Sequence, residues 1–249
     1  MIIDFHAHMG RGPEGSTDLL QSNLPPELIV DRAREAGIDR TVVFPVTYPE
    51  YSGANREIAD AVAAYPHDLI GFARLNPNNP SALQNLEAAA RLGLRGLKLH
   101  HGCDAFDLDS PPVHDILDAC AGGIADSSRG WPVIFHSIGV VDTLTALAAA
   151  HPRTTIVFGH MGGLWGWKAA RDSMRAAEQH ENVYLETSSM LVSWMIQEAA
   201  ERVPDKVLFG SDAPAIHPRV ELEKILLCRL SPEVEAKVTG ANAARLLGL

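Results

Sequence analysis

The residues of this chain that can do chemistry are mostly histidines, and they recur at the same kind of place. His6 and His8 lie two apart in Asp4-Phe5-His6-Ala7-His8. His136 and His160 each close a short apolar run, and Asp212 stands in Phe209-Gly210-Ser211-Asp212-Ala213-Pro214. Imidazole nitrogens and a carboxylate are the ligands that suit zinc and similar divalent ions. Side chains at i and i+2 of a strand point the same way, so the two rings of His6 and His8 can face one point. Each element also has an ordinary reading. A lone His-x-His seldom binds metal, a histidine closing a buried strand is commonly satisfied by a carbonyl, and an Asp in Gly-Ser-Asp-Ala-Pro can simply cap a helix. What points to a metal site is the combination of separate runs that each end in a ligand-type side chain. Three histidines and one carboxylate around an ion leave room for water.

Such residues need a frame that gathers strand ends. Eight short apolar, β-branched runs supply the candidates: Ile2–His6, Thr41–Val46, Ile70–Leu75, Leu94–His100, Val133–His136, Thr155–His160, Val183–Thr187 and Val207–Asp212. They are apolar on both parities, as parallel strands covered on both faces are. Helical spacing fills the intervals, at Pro26–Ala36, Asn55–Tyr65, Ser81–Leu92, Val113–Ala121, Val141–Ala150, Trp167–His180, Val192–Arg202 and Arg219–Leu227, with a closing helix over Pro232–Leu247. Strict βα alternation implies a parallel sheet, and eight units close a (β/α)8 TIM barrel whose chemistry sits at the C-terminal strand ends. An open doubly wound sheet is the competing fold, but no Gly-x-Gly-x-x-Gly turn follows any of the runs. With 249 residues and no linker-like stretch, the expectation is a single domain over 1–249, at roughly 31 residues per βα unit.

Composition narrows the partners. The chain is 46% hydrophobic and 21% charged, which excludes disorder and fibrous classes. A net charge of −10 repels phosphates and argues against nucleic acid and anionic membranes. Cys103, Cys120 and Cys228 form neither a disulfide framework nor a Cys-x-x-Cys site. No basic, apolar leader opens the sequence, and no run approaches the roughly 20 apolar residues of a membrane span. The expectation is a soluble, cytoplasmic protein acting on a small molecule, with a homodimer as the assembly left open.

From Asp4–His8 through Gly96-Leu97-Lys98-Leu99-His100, Phe158-Gly159-His160-Met161-Gly162-Gly163, Val183-Tyr184-Leu185-Glu186-Thr187-Ser188 and Gly210-Ser211-Asp212 to the tail Gly240–Leu247, the chain resembles the amidohydrolase superfamily. The likeness is to the amidohydrolase-related group, which includes aminocarboxymuconate-semialdehyde decarboxylase and pyrone-dicarboxylate lactonase. The resemblance implies that His6, His8, His136 and Asp212 surround a divalent metal, usually zinc, with manganese an alternative. It also implies that His160 sits beside the metal as a catalytic acid–base or electrophile. Asp212 can then take a proton from metal-activated water and return it to a leaving group. Many superfamily members carry a carboxylated lysine where Lys98 stands, bridging a second metal. In a one-metal site Lys98 is instead a substrate-facing cation, with His100 as its neighbour.

Other expectations at the mouth follow from position. Arg74 either clamps a substrate carboxylate or forms an ion pair at the rim. Trp165, with Tyr48, Tyr51, Trp167, Met190 and Trp194, can wall an apolar pocket. Asp4 shares parity with His6 and His8, so it either supports them from one layer below or is a buried capping carboxylate. His67, His151 and His180 read as surface residues, and Met9–Pro25 and His101–Pro112 are the longest mouth loops. The function expected is a metal-dependent hydrolase attacking an amide, lactone or related carbonyl. A non-oxidative decarboxylase on the same site is the alternative, and a non-catalytic barrel used as a binding subunit is the third reading.

Overall fold

The computed structural model describes residues 1–12, 23–122, 124 and 130–249. Its strands are β1 (Ile3–Arg11), β2 (Asn23–Leu24), β3 (Arg40–Pro45), β4 (Leu69–Gly71), β5 (Ala73–Arg74), β6 (Leu97–Leu99), β7 (Val133–His136), β8 (Ile156–Gly159), β9 (Val183–Glu186) and β10 (Val207–Leu208). They form a four-stranded sheet, β2-β1-β3-β4, and a six-stranded sheet, β10-β9-β8-β7-β6-β5. Every pairing is parallel except β1 with β2.

The two sheets meet along both edges. Between β4 and β5, Phe72 N–H donates to Val43 O (2.9 Å) and Ala73 N–H to Gly96 O (2.8 Å), so one extended run passes from the first sheet to the second. Beyond β10 the chain runs beside β1: Phe5 N–H donates to Phe209 O (2.8 Å), Asp212 N–H to His6 O (2.8 Å) and His8 N–H to Ala213 O (2.7 Å). The eight expected runs thus complete the circuit of a TIM barrel. The loop expected over Met9–Pro25 begins instead as strand, since Gly10 and Arg11 pair with Leu24 and Asn23; the rest of that loop, over 13–22, lies outside the described residues.

Helices return the chain between strands: α1 (Pro26–Ala36), α2 (Tyr51–Ala64), α3 (Ala82–Arg91), the single turn α4 (His101–Asp104), α5 (Pro111–Ala121), α6 (Val141–Ala150), α7 (Trp167–Gln179), α8 (Ser193–Arg202) and α9 (Pro218–Leu227). Local chemistry sets their ends. Prolines begin α1, α5 and α9, where a missing N–H costs nothing. Gly37, at φ 78°, closes α1 in the left-handed region that glycine enters freely. The closing segment is not the one helix expected. It is α10 (Pro232–Ala236), a π-helical stretch over Lys237–Ala241, and α11 (Asn242–Leu247).

Alternate strand residues divide into two apolar layers. Val133, Phe135, Ile156, Phe158, Val183 and Leu185 belong to the core beneath the helices. Their neighbours Ile134, Val157, Tyr184 and Leu208 fill the barrel interior with Phe5, Phe44 and Phe72, and Ala243 and Leu247 of α11 close that layer. Two residues further along the same inward parity, apolar side chains give way to Arg74, His136, Gly159, Glu186 and Gly210. The polar layer is therefore stacked on the apolar one, at the C-terminal strand ends.

β1 reaches this layer by a register change. Ile3 and Asp4 pair with Arg40 and Thr41, but the next partners are Ala7 and Val43, so β1 holds one extra residue. A bulge of this kind re-aims side chains. Below it Ile3 and Phe5 face the interior; above it Ala7 and Met9 face the helices, which turns His6 and His8 inward. The bulge also decides how Asp4 is used. Its carboxylate does not lie under the two rings; it accepts from His6 N–H (3.0 Å), Ser211 N–H (2.9 Å) and the Ser211 hydroxyl, fastening the bulge to the run after β10. Among the described residues, no helix is long and apolar enough to cross a membrane.

Candidate metal centre

Three of the expected ligands converge. His8 Nε2 lies 3.1 Å, and His6 Nε2 3.5 Å, from Asp212 Oδ1. One ligand atom from each of the three fits within a 4.8 Å span. The opposite edge of His6 is engaged, with Nδ1 2.7 Å from Glu186 Oε2. A carboxylate on Nδ1 keeps the proton there, so Nε2 presents its lone pair to the centre. His6, His160 and Glu186 form a second convergent group, but it draws on the side of His6 already bonded to Glu186.

Burial and charge set the protonation of these groups. Loss of solvent, and then Lys98, holds His6 well below the usual imidazole range, and burial also lowers His8. His160 is pushed down to about 4 by burial, and His136 is lowered by burial and by Lys98. Burial alone would raise Asp212, but the hydrogen bond from His8 and the surrounding imidazoles hold it well below the usual carboxylate range. Neutral imidazoles and an ionised carboxylate are the states in which these residues bind a metal. His6 Nε2 and Asp212 Oδ1 are then two acceptors facing each other, and the buried Nδ1 of His8 has no partner. The set of two imidazole nitrogens and one carboxylate oxygen fits a zinc- or manganese-type ion.

The fourth expected ligand stands apart from this convergence. His136 stacks on His100, with ring centres 4.0 Å apart and planes 11° from parallel, and meets His160 edge-on at 5.0 Å. His160 is oriented by the β9 exit, its Nδ1 lying 3.2 Å from Ser188 O and 3.0 Å from Ser188 Oγ. His100 spends its Nδ1 as an acceptor for Cys103 N–H (3.2 Å), capping α4.

Lys98 is wholly buried beneath the site. Its Nζ is 3.4 Å from His6 Nε2 and 5.0 Å from the Phe44 ring centre, and burial lowers it to about 8. Arg74, expected as a carboxylate clamp or a rim ion pair, takes the second form. It is 1% exposed, and its Nε and Nη2 donate to Asp104 Oδ2 (3.3 and 3.1 Å) while Nη1 donates to Pro45 O (3.3 Å). The expected aromatic wall divides. Tyr51 and Met190 are buried, with the Tyr51 hydroxyl donating to Asp104, whereas Trp165, Trp167 and Trp194 stand out, Trp165 at 75% exposure. His151 is buried rather than on the surface, bonded through Nδ1 to Asp118 (2.9 Å) and through Nε2 to His114 (2.7 Å).

Glu186 and the serines after it were not singled out by sequence reasoning. A signal was present, since Glu186 is the one carboxylate on the inward parity of the apolar run Val183–Glu186. Space for it comes from glycine, because a Cβ on Gly210 would run into Glu186 Oε1. Backbone strain concentrates here as well. His160 (φ 62°), Met161 (φ 49°), Ser189 (φ 59°) and Asp212 (φ 59°) occupy the left-handed region at the exits of three successive strands. Such conformations cost free energy and persist where surrounding structure enforces them.

Comparison with known proteins agrees with this architecture. The sequence profile of the amidohydrolase family matches residues 3–249. A search of curated proteins finds no match. Among solved structures, a probable 2-pyrone-4,6-dicarboxylic acid hydrolase from Acinetobacter baumannii with bound citric acid is 15% identical, with TM-score 0.77 over 100% of this chain and 99% of that one. A 5-carboxyvanillate decarboxylase from Novosphingobium aromaticivorans, complexed with manganese and a nitrobenzoic acid, is 16% identical, with TM-score 0.78 over 100% and 96%. An amidohydrolase from Burkholderia multivorans with bound zinc is 14% identical, with TM-score 0.75 over 100% and 99%. At these identities the structures speak for the fold, while the profile match over almost the whole length speaks for the family: the chain belongs to the amidohydrolase family and is an enzyme of that superfamily.

Proposed function

We propose that this chain is a metal-dependent hydrolase, a single domain over 1–249, that attacks an amide, lactone or related carbonyl in a small carboxylated substrate. The observation that carries this reading is the convergence of His6, His8 and Asp212 within a 4.8 Å span at the barrel mouth. These three residues would hold one divalent ion, zinc or manganese, with His136 of β7 as the fourth ligand of the expected set. A divalent ion bound there supplies a water whose pKa falls from 15.7 to about 7 and polarises a carbonyl.

The chain's own residues do the rest. Glu186 fixes the His6 ring by accepting from Nδ1–H, so the ligand edge is oriented before anything binds. Asp212 accepts a proton from the attacking water and passes it to the leaving group. His160, held at Nδ1 by Ser188, keeps its other nitrogen for a hydrogen bond or proton exchange with the substrate. Lys98 offers a positive charge to a substrate carboxylate. His100 and Trp165 would border the substrate in this reading, and the exposed Trp165 ring can cover a flat one. Loss of carbon dioxide from an aromatic or unsaturated acid over the same residues is the second reading, supported by the decarboxylases among the structural relatives.

Elemental analysis of purified protein is expected to find about one equivalent of metal, and a panel of lactones, amides and carboxylated aromatics is expected to yield acid without carbon dioxide. Release of carbon dioxide would select the second reading. Asp212→Asn is expected to fold and to lose turnover. Turnover retained by Asp212→Asn, or activity untouched by complete removal of metal, overturns the proposal.

A further inference from the structure

The two oxygens of Asp212 have different partners. Oδ1 faces His8 and His6 at 3.1 and 3.5 Å, whereas Oδ2 accepts a hydrogen bond from the Ser189 hydroxyl at 3.0 Å. Ser189 is itself held from outside the barrel. Its backbone N–H donates to Glu221 Oε2 on α9 (3.2 Å), and that carboxylate is paired with Lys224 Nζ (2.6 Å), which also donates to Met190 O (2.9 Å). Glu221 and Ser189 are both buried. The chain of bonds thus runs from α9, through the exit of β9, to the carboxylate at the exit of β10.

Backbone conformation makes this arrangement costly to keep. Ser189 sits at φ 59°, in the left-handed region where glycine or asparagine is more at ease. A residue needed only to turn the chain here would be better as glycine. A hydroxyl retained at a strained position, with its donor on the free oxygen of a site carboxylate, is explained by what the hydroxyl does.

We infer that Ser189 is a positioning residue for Asp212, occupying Oδ2 so that the carboxylate offers a single oxygen, Oδ1, to a divalent ion. This rests on the metal-site reading above. A carboxylate tied in this way cannot rotate to present both oxygens, and its ionised form is favoured by the bond it accepts. Glu221 acts one step further out, by fixing the Ser189 backbone.

The test compares Ser189→Gly and Ser189→Ala with the unaltered protein, measuring zinc affinity by competition with a chromophoric chelator and folding by thermal denaturation. Both variants lose the hydroxyl, and only glycine relieves the strain. Both are expected to bind zinc about 10- to 100-fold more weakly, while Ser189→Gly melts at or above the unaltered protein and Ser189→Ala does not. A structural role would tie affinity to folding; the expected result separates them. Zinc affinity in Ser189→Gly within about twofold of the unaltered protein overturns the inference and leaves the metal reading standing. Failure of the unaltered protein to bind zinc or manganese overturns both.

Discussion

Arg74 and Lys98 are register partners on β5 and β6, buried in the same layer of the barrel, yet they live in opposite surroundings. The Arg74 guanidinium lies against Asp104, donates to Pro45 O and covers the Tyr51 ring at 5.1 Å. Lys98 has an imidazole nitrogen at 3.4 Å and a phenyl face at 5.0 Å, and among the described residues no carboxylate forms an ion pair with it. Taking a charge out of water costs several kcal/mol unless a partner and hydrogen bonds offset it. That offset is present at Arg74 and smaller at Lys98, where burial outweighs the attraction of Asp212 and Glu186 and disfavours the charged form. The difference separates a cation closed within its own ion pair from one that has no ion pair among the described residues, as the proposed role of Lys98 toward a substrate carboxylate requires.

The contrast can be broken from either side. The largest effect is expected from Asp104→Ala, which strands the Arg74 charge: a loss of about 3–5 kcal/mol in urea unfolding, with activity falling only as the fold does. Lys98→Met should act the other way. Its unfolding midpoint stays level or rises, while kcat/KM on a carboxylated substrate falls about 10- to 100-fold, the size of a lost charge-assisted hydrogen bond. Equal stability losses at the two positions would erase the distinction.

pH sharpens it further. Lys98 titrates near 8 in the folded protein against about 10.4 in an unfolded chain. The folded state therefore resists its protonation: the penalty is present in full below about 8 and is relieved as pH rises towards 10.4. Unfolding free energy measured from pH 7.5 to 10 should rise more steeply in the unaltered protein than in Lys98→Met, and parallel curves would contradict the assignment. The smallest effect belongs to the exposed rim. Trp165→Ala should leave stability within about 0.5 kcal/mol, so any rise in KM reports contact with substrate.

Much of this was legible in the sequence because it is local. Apolar runs of strand length, helical spacing between them and prolines at helix starts locate the barrel, and polar residues at the ends of inward parities locate its mouth. Pairings across long separations were not legible. Asp104 is an ordinary residue in a loop until the fold sets it against Arg74, and Ser189 gains meaning only beside Asp212. Glu186 was written in a visible motif, but its bond to His6 spans 180 positions. The register change in β1 was hidden more thoroughly, because Asp4, His6 and His8 keep an unbroken period of two while the strand does not.

That extra residue in β1 has a consequence for how the protein can vary. Ile3 and Phe5 answer to the packing of the barrel floor, and His6 and His8 answer to the site, with the change of parity falling between them. Substitutions that resize the floor need not retune the ligands, and a new specificity at the mouth need not be reconciled with the floor. A regular strand through the same residues, with no bulge, would exchange the two sets, sending both imidazoles among the helices and Ala7 and Met9 into the barrel. The bulge is thus a boundary between two demands within a single strand, one set by packing and the other by chemistry.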